Sequence, residues 1–352
     1  MRGKRRKERM ILKNATLHIG NGEVFQGDMR IADGKIVEVG KNINGDESRS
    51  LNGKHVFPGF IDSGNFLGAQ DMAFFAKDYN ENSNPVTPYL DIWHSIDPDE
   101  LSLQELYKAG ITSMLVTPGN EGILGGTCTV VKTKGKNINK ITVKRDAAMK
   151  ASMTSEVIRV FSGKGSPQTP MALIAMLKTA LQTTEYANDY RSQRTKEVMD
   201  AVREGRMPIL VACETAPEME RFLEATKEYT KMKIIFTLSY EADRCADAIK
   251  KRGAAVVLGD TSRNATHLVH RMDFAKLMNM AEDGTKVGLT VLGPNMAWGR
   301  EMLLWNASKL MQTCTNSEEI VSMLTVNPAE FFGVSDRIGQ LKAGLDADYL
   351  IY

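Results

Sequence analysis

A chain of 352 residues accommodates one large domain with an accessory, or two to three ordinary ones. Hydrophobic residues at 42%, charged at 25% and aromatic at 7% are globular proportions, which exclude disorder, collagen and coiled coil for the chain as a whole, and no apolar run approaches the roughly 18 residues of a membrane span. The net charge is +2, but the first nine residues, MRGKRRKER, carry +5 and leave −3 on the remainder, so no basic surface for nucleic acid is expected on the folded part.

Residues 1–9 are expected to be a basic, flexible, solvated tail. The residues after it alternate apolar and polar (Ile11, Leu12, Ala15, Leu17, Ile19), unlike the unbroken apolar block of a secretory leader. Four cysteines, Cys128, Cys213, Cys245 and Cys314, stand singly, the pattern of reduced buried thiols in a cytoplasmic protein. From Met10 to about Lys54, short β-branched runs broken by Asn-Gly and Gly predict antiparallel hairpins. DADYLIY at the other end predicts a strand that joins the same sheet.

Between these ends, five- to seven-residue apolar strands alternate with amphipathic helices. The strands are HVFPGFID, ITSMLVTPG, MPILVAC, KIIFTLS, AAVVLG and KVGLTVLG; the helices include ELSLQELYKAG, APEMERFLEATKEYT, ADRCADAIKKRG, ATHLVHRMDFAKLMNMAEDG, GREMLLWNASKLMQT and SEEIVSMLTVNPAEFFGV. Such units predict a parallel sheet with helical crossovers. The stretch 124–206 predicts a hairpin (TCTVVKTKG, then NKITVKRD), a short strand near Met149 and a long polar helical region from Pro170 to Glu204. An α/β fold with an eight-stranded (β/α)8 barrel is favoured, an open doubly wound sheet being the alternative, against which the absence of a glycine-rich phosphate loop counts. The expected domains are a small β-sandwich from 10–55 and 338–352 and a barrel over 56–337.

KHVFPGFIDSGNFLG (Lys54 to Gly68) resembles the first barrel strand of the amidohydrolase superfamily. DYNENSNPVTPYL, AGITSMLVTPGNEGILGGTCTVVKTKG and TVNPAEFFGVSDRIGQLKAGLDADYLIY resemble its imidazolonepropionase-like branch. The resemblance implies metal-assisted hydrolysis of C–N bonds in amides and cyclic imides, with histidines and an aspartate at the barrel mouth holding zinc or a similar ion.

The residues depart from that pattern. The two histidine positions after Asp62 hold Gly64 and Phe66; the fifth-strand motif aligns with Ala212 and Glu214; the sixth-strand histidine falls at about Leu238; the last aspartate falls near Gly293 to Asn295. The fourth-strand ligand falls near Lys150, Ser155 or Glu156. None of the five histidines, His18, His55, His94, His267 and His270, occupies a ligand position. The reading is an amidohydrolase-fold protein without the metal centre and with no cofactor, either a pseudoenzyme that binds a small molecule at the mouth or an enzyme of altered chemistry. Glu214, Asp260 and Lys150 are the candidate catalytic residues. Gly64, Asn65, Phe66, Ala212, Leu238 and Asn295 form the former metal pocket, and Asn80, Glu81 and Asn120 lie on substrate-side loops. Glu214 is expected to take hydrogen bonds from Asn65, Asn295 or Lys150, or else to be partly protonated by desolvation. A metal displaced to another site is the remaining alternative. The last strand, DADYLIY, breaks off where family members continue into further sandwich strands, so a sheet edge is expected to be exposed. Homo-oligomer formation or pairing with an amidohydrolase paralogue is therefore expected, without nucleic acid or membrane.

Overall fold

A computed structural model describes residues 9–45, 47–70, 77–259, 261, 272–292 and 301–352. Asp260, His267, His270, Asn295 and nearly all of the basic tail lie outside the described residues. The chain divides into two compact units, Met1–Ile61 with Thr315–Tyr352, and Asp62–Cys314.

The small unit holds strands β1 (Arg9–His18), β2 (Val24–Ala32), β3 (Lys35–Gly40), β4 (Ser48–Ser50) and β5 (His55–Pro58). The two chain ends share one sheet, as their strand patterns predict: the final strand, Tyr349–Ile351, pairs antiparallel with β5, and β5 pairs with β1. Leu12, Ala15, Leu17, Met29, Ile36, Val56 and Leu341 form the core of this sheet. The unit also takes in the two helices at Ser317–Leu324 and Val326–Phe331. Ser322 Oγ donates to the Gly20 carbonyl at 3.1 Å, and buried His18 joins Glu318 through Nδ1 and His55 through Nε2, both at 2.8 Å. Gly59 separates β5 from the next strand, so HVFPGFID, which reads as one strand in the sequence, serves two sheets.

The large unit is an eight-stranded sheet wrapped by helices. Its strands are β6 (Phe60–Asn65), β7 (Ile111–Val116), β8 (Leu124–Lys132), β9 (Thr142–Ser152), β10 (Ile209–Ala212), β11 (Ile234–Thr237), β12 (Ala255–Leu258) and β13 (Val287–Leu289), in sequence order across the sheet; the final strand of the small sheet is β14. From β9 to β13 the pairs are parallel, while β7, β8 and β9 pair antiparallel. The fold is thus a distorted (β/α)8 barrel, and the chain carries an additional β domain. The segment near Met149 is no separate strand: β9 runs unbroken for 11 residues, with register shifts against β8. The polar region 170–204 is two helices, not one. Pro170–Gln182 ends at Thr183, and Tyr190–Arg203 begins at Asp189, whose carboxylate accepts the Ser192 N–H at 3.1 Å.

Among the described residues no backbone ladder joins β6 to β13; Asp62 bridges the seam. Its Oδ2 accepts the Val291 N–H at 2.8 Å and its Oδ1 accepts the Gly64 N–H at 2.9 Å. Thr290 Oγ1 lies 2.9 Å from Asp62 Oδ1 and 2.8 Å from the Gly64 carbonyl. A hydroxyl has one proton to give, so two oxygens compete for it. Complete burial pushes the Asp62 carboxyl above its ordinary range, against the pull of the Val291 and Gly64 N–H groups. Each buried N–H left without an acceptor costs about 1–3 kcal/mol. Asp62→Ala is therefore expected to lower the unfolding free energy by about 3 kcal/mol in a urea titration with unchanged slope. A loss under about 0.5 kcal/mol, the range of a neutral surface change, would mean that other contacts close the barrel.

Candidate functional site

Side chains alternate across a strand, so one inward residue fixes the rest. A Cβ placed on Gly64 would lie 3.3 Å from Leu210 Cδ2 and Thr117 Cγ2, and 3.5 Å from Leu115 Cδ2, so Leu210 points into the barrel. Lys150 stands opposite Leu210 in the parallel register and shares that inner face. It is completely buried; Nζ donates to Asn120 Oδ1 at 2.7 Å and to the Ala151 carbonyl at 3.1 Å. Burial lowers its pKa to about 8.

The antiparallel β8 makes this contact available. Leu124 opens β8 opposite Ala151 at the end of β9, so the turn 117–123 lies over the end of β9 and brings Asn120 onto Lys150. A cleft of about 370 Å³ opens there, lined by Phe66, Lys77, Tyr79, Asn80, Asn120, Glu121, Glu156 and Arg159. Phe66 stacks on Tyr79 with centroids 4.0 Å apart and planes 8° from parallel. The loop carrying Tyr79 and Asn80 fits because residue 119 is glycine: a Cβ there would sit 2.1 Å from Asn80 Oδ1 and 2.9 Å from the Tyr79 ring. Asn82 Nδ2 donates to Glu121 Oε2 at 2.5 Å, and Arg159 forks onto Glu156. Burial pushes the Tyr79 hydroxyl up to about 12, with Glu121 and Glu156 adding to the shift.

The cleft therefore unites Phe66, Asn80 and Asn120, with Lys150 behind Asn120. Glu81 stays exposed and accepts the Ser83 N–H at 2.9 Å. Ala212 ends β10 and is buried; Leu238 follows β11, buried with φ +58°, a left-handed conformation costly for a leucine. Tyr79, Glu121 and Arg159 escaped the sequence reading, as did Lys77. Their only signal was position: three lie in loops after β6 and β7, and Arg159 is one helical turn beyond Glu156.

Glu214 takes no hydrogen bond from Asn65 or Lys150. The Asn65 carboxamide oxygen accepts the Leu67 N–H at 2.8 Å, and Lys150 is committed to Asn120. Instead burial, with repulsion from Glu218 and Glu156, raises the Glu214 carboxyl to about 7. A carboxyl whose folded pKa is raised favours folding while protonated and loses that contribution as pH rises from about 4.5 to about 7. Glu214→Gln, which stays neutral, is expected to be more stable than the parent by about 3 kcal/mol above pH 7, converging with it below about pH 4.5. A difference independent of pH in thermal melts would contradict this.

The described residues do not supply the donor set that the resemblance implies. Gly64 has no room for an imidazole against Leu210, Leu115 and Thr117, Phe66 is packed on Tyr79, and Ala212 and Leu238 carry no donor. Among the described residues no three His, Cys, Asp or Glu side chains converge to hold a metal ion. His18 and His55 bond within the small unit, and His94 is exposed in the turn Ile92–Ser95.

Residues 100–352 match the model of the amidohydrolase family. A search of curated proteins finds no match. Among solved structures, an amidohydrolase from Thermotoga maritima MSB8 superposes with a TM-score of 0.87 at 23% identity, over 97% of this chain and 93% of that one. Beta-aspartyl dipeptidase from Fervidobacterium islandicum AW-1, solved in complex with a beta-Asp-Leu dipeptide, gives 0.58 at 15% identity over 99% and 92%. Molinate hydrolase gives 0.55 at 13% identity over 98% and 89%. With the family model matched over most of its length and the barrel closed in eight strands, the chain belongs to the amidohydrolase family.

Proposed function

We propose that this chain is a ligand-binding member of its family, related to hydrolases of C–N bonds, in which the barrel mouth no longer runs metal-assisted hydrolysis. The observation that carries the reading is Gly64: the inward site where the resemblance places a histidine is filled by Leu210, Leu115 and Thr117. Zinc takes bound water from a pKa of about 15.7 to about 7, on the order of 12 kcal/mol of nucleophile activation. A lone general base such as Glu214 contributes about 10²–10⁴-fold, or roughly 3–5 kcal/mol. A cleft walled by aromatic and polar side chains survives without the metal.

A second reading has one observation in its favour. The Glu214 carboxyl, raised to about 7, is poised for general-base chemistry without a metal. In either case the protein works in the cytoplasm, where its four free thiols stay reduced, as a homodimer or paired with an intact paralogue. Strand β14 at one edge of the small sheet supports the pairing.

Elemental analysis of purified protein is expected to find well under one zinc, iron or manganese per chain; about one tightly held ion overturns the reading. A thermal-shift screen of a metabolite library is expected to yield a stabilising ligand, and Glu214→Gln should not hydrolyse amides or cyclic imides less than the parent does. A parent hydrolysis rate lost in Glu214→Gln favours the second reading. Light scattering is expected to report a species of two chains, and a monomer at every concentration counts against the pairing.

A further inference from the structure

We propose that Lys150 is a positioning residue, which holds the Asn120 carboxamide with its oxygen inward and its nitrogen toward the cleft, and that the cleft so equipped takes a small zwitterion of the amino-acid type. The inference rests on the ligand-binding reading above and names its ligand class.

An ammonium group has donors and no acceptor, so the Asn120 atom 2.7 Å from Lys150 Nζ is the oxygen. That fixes the amide orientation by chemistry, where the two ends of a carboxamide otherwise look alike. The nitrogen then belongs to the cleft. Asn120 is 5% exposed and lines it, and its Nδ2 is not among the polar atoms sealed away in the core, so this N–H pair is open to the cleft. A side-chain amide nitrogen carries two donors and no acceptor, so what it offers the cleft is matched by a ligand oxygen.

The charges around it are half spent. Arg159 and Glu156 neutralise each other through a two-pronged ion pair. Lys77 has no ion-pair partner among the described residues, and Glu121 accepts from the neutral Asn82 carboxamide and feels Arg159 only at longer range, without an ion pair of its own among the described residues. One ammonium and one amide donor, with one unpaired carboxylate, complement a ligand bearing both a carboxylate and an ammonium. A purely anionic or cationic ligand leaves one of these charges unanswered. The Phe66–Tyr79 pair supplies a surface for an apolar side chain. At about 370 Å³ the cleft stands at the small end of the range for small-molecule sites.

The test is titration calorimetry at neutral pH with three probes: L-phenylalanine, phenylpropionate, which lacks the ammonium, and phenethylamine, which lacks the carboxylate. L-Phenylalanine is expected to bind at least about tenfold tighter than either analogue. Asn120→Asp keeps an oxygen facing Lys150 and turns the cleft-side nitrogen into an oxygen; it should fold at least as stably and lose tenfold or more in L-phenylalanine affinity, with phenethylamine undiminished. Lys150→Met frees the amide to rotate and should lose L-phenylalanine affinity, again sparing phenethylamine. In the Asn120→Asp background it should cost nothing further. Equal loss of both probes in Asn120→Asp or Lys150→Met would reduce the pair to a structural role and overturn the proposal; should Lys150→Met fail to fold, Asn120→Asp decides alone. If an analogue binds as well as L-phenylalanine, or if none of the three binds while the metabolite library yields a ligand, the zwitterion class is wrong and the ligand-binding reading stands. If neither the probes nor the library bind, that reading falls as well.

Discussion

A carboxyl group hidden from water closes the barrel. β6 and β13 stand at opposite ends of the strand order, and Asp62 joins them with hydrogen bonds that a backbone ladder would otherwise supply. Burying a carboxyl is expensive unless its lone pairs are met, and here two N–H groups and a hydroxyl meet them. Asn306 performs the adjoining tie. Its Nδ2 donates to the Gly259 and Thr290 carbonyls, and its Oδ1 accepts the Thr261 N–H and hydroxyl, so both donors and both acceptor sites are used. A rim of polar side chains thus holds β12, β13 and β6 together. Asn65, the last residue of β6, and Phe66 just past it inherit their position from it.

The hairpin β8–β9 governs the other half of the mouth. A regular β/α repeat would separate β7 from the next strand by a helix, whereas the short turn 117–123 folds over the end of β9. Close approach of backbones makes this possible. Gly126, at φ +116°, would place a Cβ 2.7 Å from the Leu90 carbonyl, and Gly119 admits the Tyr79–Asn80 loop. A lysine in the barrel interior is tolerable in this setting because a carboxamide and a carbonyl take its protons and desolvation weakens its hold on the charge.

Much of this was legible in the sequence because it depends on local pattern. The apolar runs at 111–116, 209–212, 234–237, 255–258 and 287–289 are five of the eight barrel strands, and the Thr127–Asp146 stretch reads as the hairpin it is. Less legible were features that hinge on one residue or on distant contacts. Gly59 splits one apparent strand between two sheets, and the break after Gln182 carries neither Gly nor Pro, only the cap Asp189. Of the site, Phe66, Asn80 and Asn120 were visible from their place after strands. The Lys150–Asn120 bond was not, because 30 residues and an antiparallel reversal separate the partners. Asn306 reads as an incidental Asn-X-Ser site, although its whole hydrogen-bonding capacity is spent in the core.

The mouth is uneven in a way that follows from these constraints. On the β11–β12 side, Leu238 is buried against Gly259, where a Cβ would lie 2.8 Å from Leu238 Cδ2, and the Tyr240 N–H donates to the Leu238 carbonyl at 2.8 Å. The left-handed backbone of Leu238 costs about 1–2 kcal/mol, an amount that burial of one leucine side chain offsets at about 1.5–3 kcal/mol. Strain is tolerated there because apolar packing fills the space. On the β6–β9 side Asn120, Glu121 and Tyr79 line an open cleft. Packing and recognition therefore share the rim: among the described residues, Leu238 packs beside the buried side chains of Thr237, Ser239 and Asn306, and the open polar cleft lies at the loops after β6 and β7, over the lysine that steadies them.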